Sequence, residues 1–170
     1  MLGLTAKEEL RCLDLPQSSV GAPLPHVFAD EHRLLIAYIL QVNDPTWDGS
    51  TVRIIGPETK GEECAVVDVQ QYRAFEFGPP NDEAIAGHRL HKLGLRPYSA
   101  FEVLNSKWIA TLEEANRVHP HHRSERFAGD RHIILTFHDS TLEFVAERFE
   151  IRRSRGSVRN VLLDALKTHP

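Results

Sequence analysis

The chain has 170 residues, with 20 Lys plus Arg against 24 Asp plus Glu, a formal net charge of −4 with histidine neutral, and 41% hydrophobic residues. That composition describes a globular chain long enough to bury a core without disulfide or metal staples, and it excludes a disordered or fibrous one. The longest apolar run, Leu34 to Leu40, has seven residues, against about twenty for a spanning helix, so no membrane partner is expected.

The N-terminus lacks a basic segment followed by an apolar one, and Cys12 and Cys64 belong to no CxxC pair. Together these features predict a cytoplasmic protein with reduced thiols. At this length one domain is expected over residues 26–170, preceded by an N-terminal helix and linker-like arm over 1–25. Charge is uneven along the chain. Residues 1–85 carry 6 basic and 14 acidic groups, a balance of −8, and residues 86–170 carry 14 and 10, a balance of +4. Eight of the ten histidines lie in the second half.

Thr5-Ala6-Lys7-Glu8 fits a capping box that opens a short helix, which must stop before Pro16. A proline-rich loop runs to Pro25. His26-Val27-Phe28 and Leu34 to Val42 flank a polar turn and predict a hairpin. Val52 to Ile55 and Cys64 to Val69, on either side of Gly56-Pro57-Glu58-Thr59-Lys60-Gly61, predict a second one. The β-rich tract ends at Gly78-Pro79-Pro80, since prolines cannot donate to a sheet ladder. Asn81 is placed to cap a short helix starting at Asp82-Glu83-Ala84-Ile85. A strand over 97–104 then leads to a helix over 107–118, capped by Asn105 or Ser106 and terminated by Pro120.

The alternation of Ile133, Leu135 and Phe137 with polar neighbours, and of Leu142, Phe144 and Ala146 with theirs, predicts an antiparallel hairpin. A two-residue Asp139-Ser140 loop pairs Phe137 with Leu142, Leu135 with Phe144 and Ile133 with Ala146 on one apolar face. A four-residue loop keeps the same parity. A basic tract from Arg148 to Arg159 precedes a helix capped by Ser157 with a stripe of Val158, Val161, Leu162, Ala165 and Leu166. The predicted class is α+β: a mostly antiparallel, curved sheet built from hairpins, packed against a central and a C-terminal helix.

Candidate chemistry lies on the second face of the last hairpin. The two-residue loop sets His138 beside Thr141, Thr136 beside Glu143 and His132 beside Glu147, with His138 and Glu143 diagonal neighbours. His138 is expected to transfer protons, Glu143 to orient it, and His132 to complete the catalytic set. Asn81, Glu83, Tyr98 and Thr136 are expected to bind ligand. Ile134 and Val145 on the same face point to a half-buried cavity, although a solvated amphipathic face would carry the same pattern.

His119-Pro120-His121-His122 and the His88/His91 pair are histidine-dense but have no partner motif, so no cofactor is expected and a divalent metal on histidines is the lesser reading. His138-Asp139-Ser140 has the residue types of a catalytic triad, but adjacent residues at a hairpin end point apart. The Arg148–Arg159 tract lacks interleaved aromatics, and a nucleic-acid partner is not expected. The function expected is acid–base action on, or binding of, a small polar ligand in a His/carboxylate-lined pocket. The competing expectation is a protein-interaction module, an inhibitor, immunity or regulatory protein, whose acidic half meets a basic partner.

Overall fold

The computed structural model describes residues 6–43 and 45–168, so Thr5 of the expected capping box lies outside the described residues. In chain order the elements are β1 (Glu9–Cys12), β2 (His26–Ala29), β3 (Arg33–Ile39), β4 (Glu62–Gln70), β5 (Ala74–Gly78), β6 (Ala100–Leu104), α1 (Lys107–Asn116), β7 (Arg131–Thr136), β8 (Thr141–Ala146), β9 (Phe149–Gly156) and α2 (Val158–Lys167). Short 3₁₀ turns interrupt the loops at Ile85–Gly87, His91–Leu93 and Ser124–Phe127. The class is α+β with antiparallel pairing throughout, the strands being shared between two sheets. No described helix is long and apolar enough to cross a membrane.

The chain divides into two compact units, one holding the residues up to Leu15 with Gln71–Arg148, the other Pro16–Gln70 with the segment from Phe149 onward. In the second unit the strand order is β2-β3-β4-β9. The expected β2–β3 hairpin forms, pairing His26 with Ala37. Its partner does not. Residues 52–55 stay outside any strand, with Val52 93% and Ile54 91% exposed. Local β propensity loses here because both edges of β4 are taken, by β3 and by β9, which lies some 90 residues further along the chain.

Ser157 caps α2, its Oγ accepting the Asn160 N–H. The predicted stripe of Val158, Val161, Leu162 and Ala165 packs on Leu35, Ala37, Ile39, Cys64 and Val66. Each of the valine, leucine and isoleucine side chains contributes about 1.5–3 kcal/mol by leaving water. Arg33 ties this packing together. Its Nε and Nη2 donate to the two Asp68 oxygens at 3.0 and 2.6 Å, and Nη2 also donates to the Ala165 carbonyl at 3.2 Å. A guanidinium thus meets both a carboxylate and the negative end of α2.

In the first unit the order is β1-β6-β7-β8-β5. Where a helix was expected before Pro16, Glu9–Cys12 is a strand paired with β6, and Arg11 donates to Glu102 at 2.6 Å. Tertiary pairing overrides the local helix signal, and Leu10 joins an apolar cluster instead. That cluster sets Ile85, Leu90 and Leu95 from the 3₁₀ segment onto Phe101, Val103 and Ile134 of the sheet. Gly94, at φ +102°, closes the segment in a conformation that L side chains rarely adopt. Ser106 caps α1, which ends at Asn116, earlier than the predicted 118, and has no fully buried residue.

The β7–β8 hairpin corrects the predicted register. The strands end at the Thr136–Thr141 pair with four residues between them, and within these the Phe137 N–H donates to the Ser140 carbonyl at 2.8 Å, which puts His138-Asp139 at the tip. Leu135 therefore faces Leu142, Ile133 faces Phe144, Ile134 faces Glu143 and His132 faces Val145. Because parity is unchanged, the apolar residues still share one face, all buried. The polar partners, however, move by one pair.

The Arg33–Asp68 side chains are each only 10% exposed. Removing one charge leaves the other buried and unpaired, so Asp68→Ala is expected to lower the unfolding free energy by about 3–5 kcal/mol, read from urea denaturation. A change within about 0.5 kcal/mol, the range of an ordinary surface substitution, would show that the pair is dispensable.

Candidate functional site

The register shift makes His132, not His138, the diagonal neighbour of Glu143. His132 is fully buried, and its Nε2 lies 2.6 Å from Glu143 Oε2. Two further groups reach the same carboxylate from the 3₁₀ segment: His88 Nε2, 3.0 Å from Oε1, and Arg89 Nη2, which donates to Oε2 at 2.9 Å. The apolar cluster of Ile85, Leu90 and Leu95 fastens that segment to the sheet, which is what brings His88 and Arg89 over Glu143.

Burial alone pushes the Glu143 carboxyl up. The bonds from His132 and His88 and the positive charge of Arg89 outweigh it and hold the group at about 2. Glu143 is therefore an ionised acceptor, and both imidazoles must present N–H to it. For His88 the tautomer is fixed from the other side, because its Nδ1 accepts the Leu90 N–H at 3.1 Å. For His132, Nδ1 lies 2.7 Å from Ser106 Oγ. Ser106 Oγ accepts the Ile109 N–H at 3.2 Å, so its own proton is the one available to His132 Nδ1. Trp108 packs edge-on against the His132 ring, centroids 5.1 Å apart, and fixes its plane.

Ser106 sits where β6 turns into α1. Asn105, at φ +54°, makes the turn in the left-handed region that Asn tolerates better than most residues. The serine forms part of the wall of a cavity of about 580 Å³, together with Lys107, Ile109, Ala110, Phe127 and Arg131. On the same wall Glu113 is held at about 2 by Arg117, Ser124 and His122. A second cavity, of about 440 Å³, opens over β5 and β8 and is lined by Glu76, His88, Arg89, Thr141 and Glu143 beside Gly78-Pro79-Pro80.

His138 belongs to a different cluster. It lies in the four-residue loop, 42% of its side chain exposed, with Nδ1 2.9 Å from both Asp82 Oδ2 and the Tyr98 hydroxyl. Tyr98 also donates to Asp82 and holds φ +53°, an uncommon conformation for a tyrosine. The Asp82 bond raises the His138 pKa, while the bond from Tyr98 is the main cause lowering that of Asp82. The distal Nε2 is 4.0 Å from the exposed Asp139 carboxylate.

The remaining expected ligand-binding residues have other work. Asn81 Oδ1 accepts the Ala84 N–H as a cap, and Glu83 is exposed. Thr136 is buried and bonds to the backbone at Arg96 and Ser99. Asp82, between Asn81 and Glu83, makes the contact with Tyr98 and His138. Ser106, His88 and Arg89 were not singled out for this role by sequence reasoning. Ser106 carried only the signal of a helix cap, His88 only that of the His88/His91 pair, and Arg89 none. His91 N–H donates to the His88 carbonyl at 2.9 Å, and His122 pairs with Glu113 at 2.9 Å. Among the described residues no group of three His, Cys, Asp or Glu side chains is arranged to hold a metal ion. Comparisons with models of protein families, with curated proteins and with solved structures find no match to this chain.

Asp82→Asn is expected to return the His138 pKa toward the ordinary 6.5, followed by NMR titration of the imidazole; an unchanged value would mean that Asp82 does not hold the proton. While Asp82 stays ionised, the His138 contribution is full below 6.5 and fades as pH rises through the raised value. Glu143 has the opposite sign: its contribution is present above 4.5 and is lost as pH falls toward 2, so Glu143→Gln is expected to flatten the acid limb of the stability curve.

Proposed function

We propose that the first unit binds a small polar ligand in the cavity beside Ser106 and acts on it by acid–base chemistry, with His132 as the proton-transfer group. The observation that supports this reading is a continuous chain of hydrogen bonds, Ser106 Oγ to His132 Nδ1 at 2.7 Å and His132 Nε2 to Glu143 Oε2 at 2.6 Å, that begins at a residue of the cavity wall. Glu143 stays ionised and keeps the Nε2 proton in place, so Nδ1 is the nitrogen that exchanges a proton with Ser106. His88 and Arg89 hold the carboxylate from the far side and prevent it from turning away. The cavity wall mixes apolar Ile109, Ala110 and Phe127 with charged Lys107, Asp130 and Arg131, which suits a small molecule with one polar end.

In this reading His132 takes the role expected of His138, and Glu143 keeps its role with a different histidine. The competing reading, an interaction module that presents its acidic half to a basic partner, loses much of its electrostatic premise. Counted by unit, the charges come to 12 basic and 14 acidic groups in the first and 8 and 10 in the second, a balance of −2 each, and contacts such as Glu8–Arg89 and Glu58–Arg159 join acidic groups of the first half of the sequence to basic groups of the second.

Ligand screening by protein NMR, with a panel of small esters, amides and carboxylic acids, tests the reading. Binders are expected to move the amide resonances of Lys107, Ile109 and Ala110, and His132→Gln is expected to alter the pH dependence of that binding. A panel that perturbs none of these amides, or binders indifferent to His132→Gln, would overturn it.

A further inference from the structure

We infer that Ser106 is an acyl-accepting nucleophile and that the ligand class is a small carboxylic ester, hydrolysed through a covalent acyl-enzyme; this rests on the acid–base reading of the same cavity. Three side chains from three separate elements meet in sequence: Ser106 from the β6–α1 turn, His132 from β7 and Glu143 from β8. Such convergence gives a hydroxyl a base and gives the base an orienting carboxylate, which is what a weak nucleophile needs for activation. The ring nitrogens exchange their usual roles, with Nδ1 toward the serine and Nε2 toward the carboxylate. Either nitrogen can be the base once the other is committed as a donor.

A helix cap explains the Ser106–Ile109 contact but not the short contact to a buried imidazole that is itself bound to an ionised glutamate. The turn that carries Ser106 also supplies an electrostatic partner for developing charge. In the first turn of α1, Lys107 N–H donates to Glu8 and Ile109 N–H to Ser106, while the Trp108 N–H has no partner among the described residues. A backbone N–H at the positive end of a ten-residue helix, two residues along the chain from Ser106, suits an oxyanion.

Ser106 Oγ bonds to the ester carbonyl carbon while its proton passes to His132 Nδ1. The tetrahedral intermediate collapses with cleavage of the carbon–alkoxy bond, and His132 returns the proton to the departing alcohol. Water then repeats the sequence, His132 taking its proton, and releases the carboxylic acid and free Ser106. Ser106 and His132 are the catalytic residues; Glu143 is a positioning residue.

The test uses the full chain with two probes, diisopropyl fluorophosphate and p-nitrophenyl acetate. The fluorophosphate is expected to leave one adduct, mapped by mass spectrometry to Ser106, with fluoride released. Ester turnover is expected to fall at least about a hundredfold in His132→Gln and by a similar or larger factor in Ser106→Ala. Ser106→Asn separates capping from catalysis, because Asn caps a helix as well as Ser but has no hydroxyl. It is expected to keep the melting temperature and lose both labelling and turnover. Labelling elsewhere, or turnover retained in a folded Ser106→Asn, overturns the nucleophile. No labelling while screened compounds still move the Lys107 and Ile109 amides overturns the nucleophile alone; no labelling with no such movement overturns the acid–base reading as well.

Discussion

An ionised carboxylate that is almost wholly withdrawn from water organises the first unit. Glu143 lies on a sheet face shared with Ile134 and Val145, and an unpaired charge there would be costly. Its position is tenable because two imidazole N–H groups and the Arg89 guanidinium converge on its two oxygens. Each of these partners depends on a different part of the chain. His132 comes from the adjacent strand, while His88 and Arg89 come from a segment fastened by Ile85, Leu90 and Leu95. The apolar cluster and the polar one therefore form together, since the first delivers the donors that the second requires.

That arrangement separates two kinds of histidine. His132 and His88 are held in defined tautomers by contacts on both ring nitrogens, which suits directional proton exchange along one path. His138, half exposed and bonded to Asp82 and Tyr98 through Nδ1 alone, titrates in contact with solvent. The charge asymmetry of the sequence follows a similar logic. The −8 and +4 of the two halves do not survive as separate fields within a unit, because strands and turns from both halves are paired there. Asp68 near Arg33 and Arg152, and Glu63 near Arg155, are examples from the β3–β4–β9 ribbon.

Much of the local architecture is legible in the residues. The Ser106 and Ser157 caps, the α2 stripe, the β2–β3 hairpin and the parity of the β7–β8 hairpin all follow from short-range pattern. The errors share a cause. Glu9–Cys12 is a strand because β6 offers it an edge, and Val52–Ile55 is not one because β4 has no edge left. The Asp139-Ser140 pair reads as a tight turn, yet the Phe137–Ser140 contact brackets His138-Asp139 instead and moves His138 off the strand. The apparent His138-Asp139-Ser140 triad has its residue types side by side, whereas the chain that does form draws Ser106, His132 and Glu143 from positions up to 37 residues apart.

What the sequence alone determined was the α+β class, most element types and which residues share a face, because periodicity and capping act over a few residues. It also singled out Glu143 and His132 as chemistry-bearing positions on one sheet face. Only the tertiary structure decided which histidine meets Glu143, that Ser106 stands at the other end of that histidine, and that His138 pairs with Asp82. Those contacts depend on loop length, on strand order and on a distant apolar cluster. A change of one residue pair in register leaves the hydrophobic pattern intact while exchanging every polar partner.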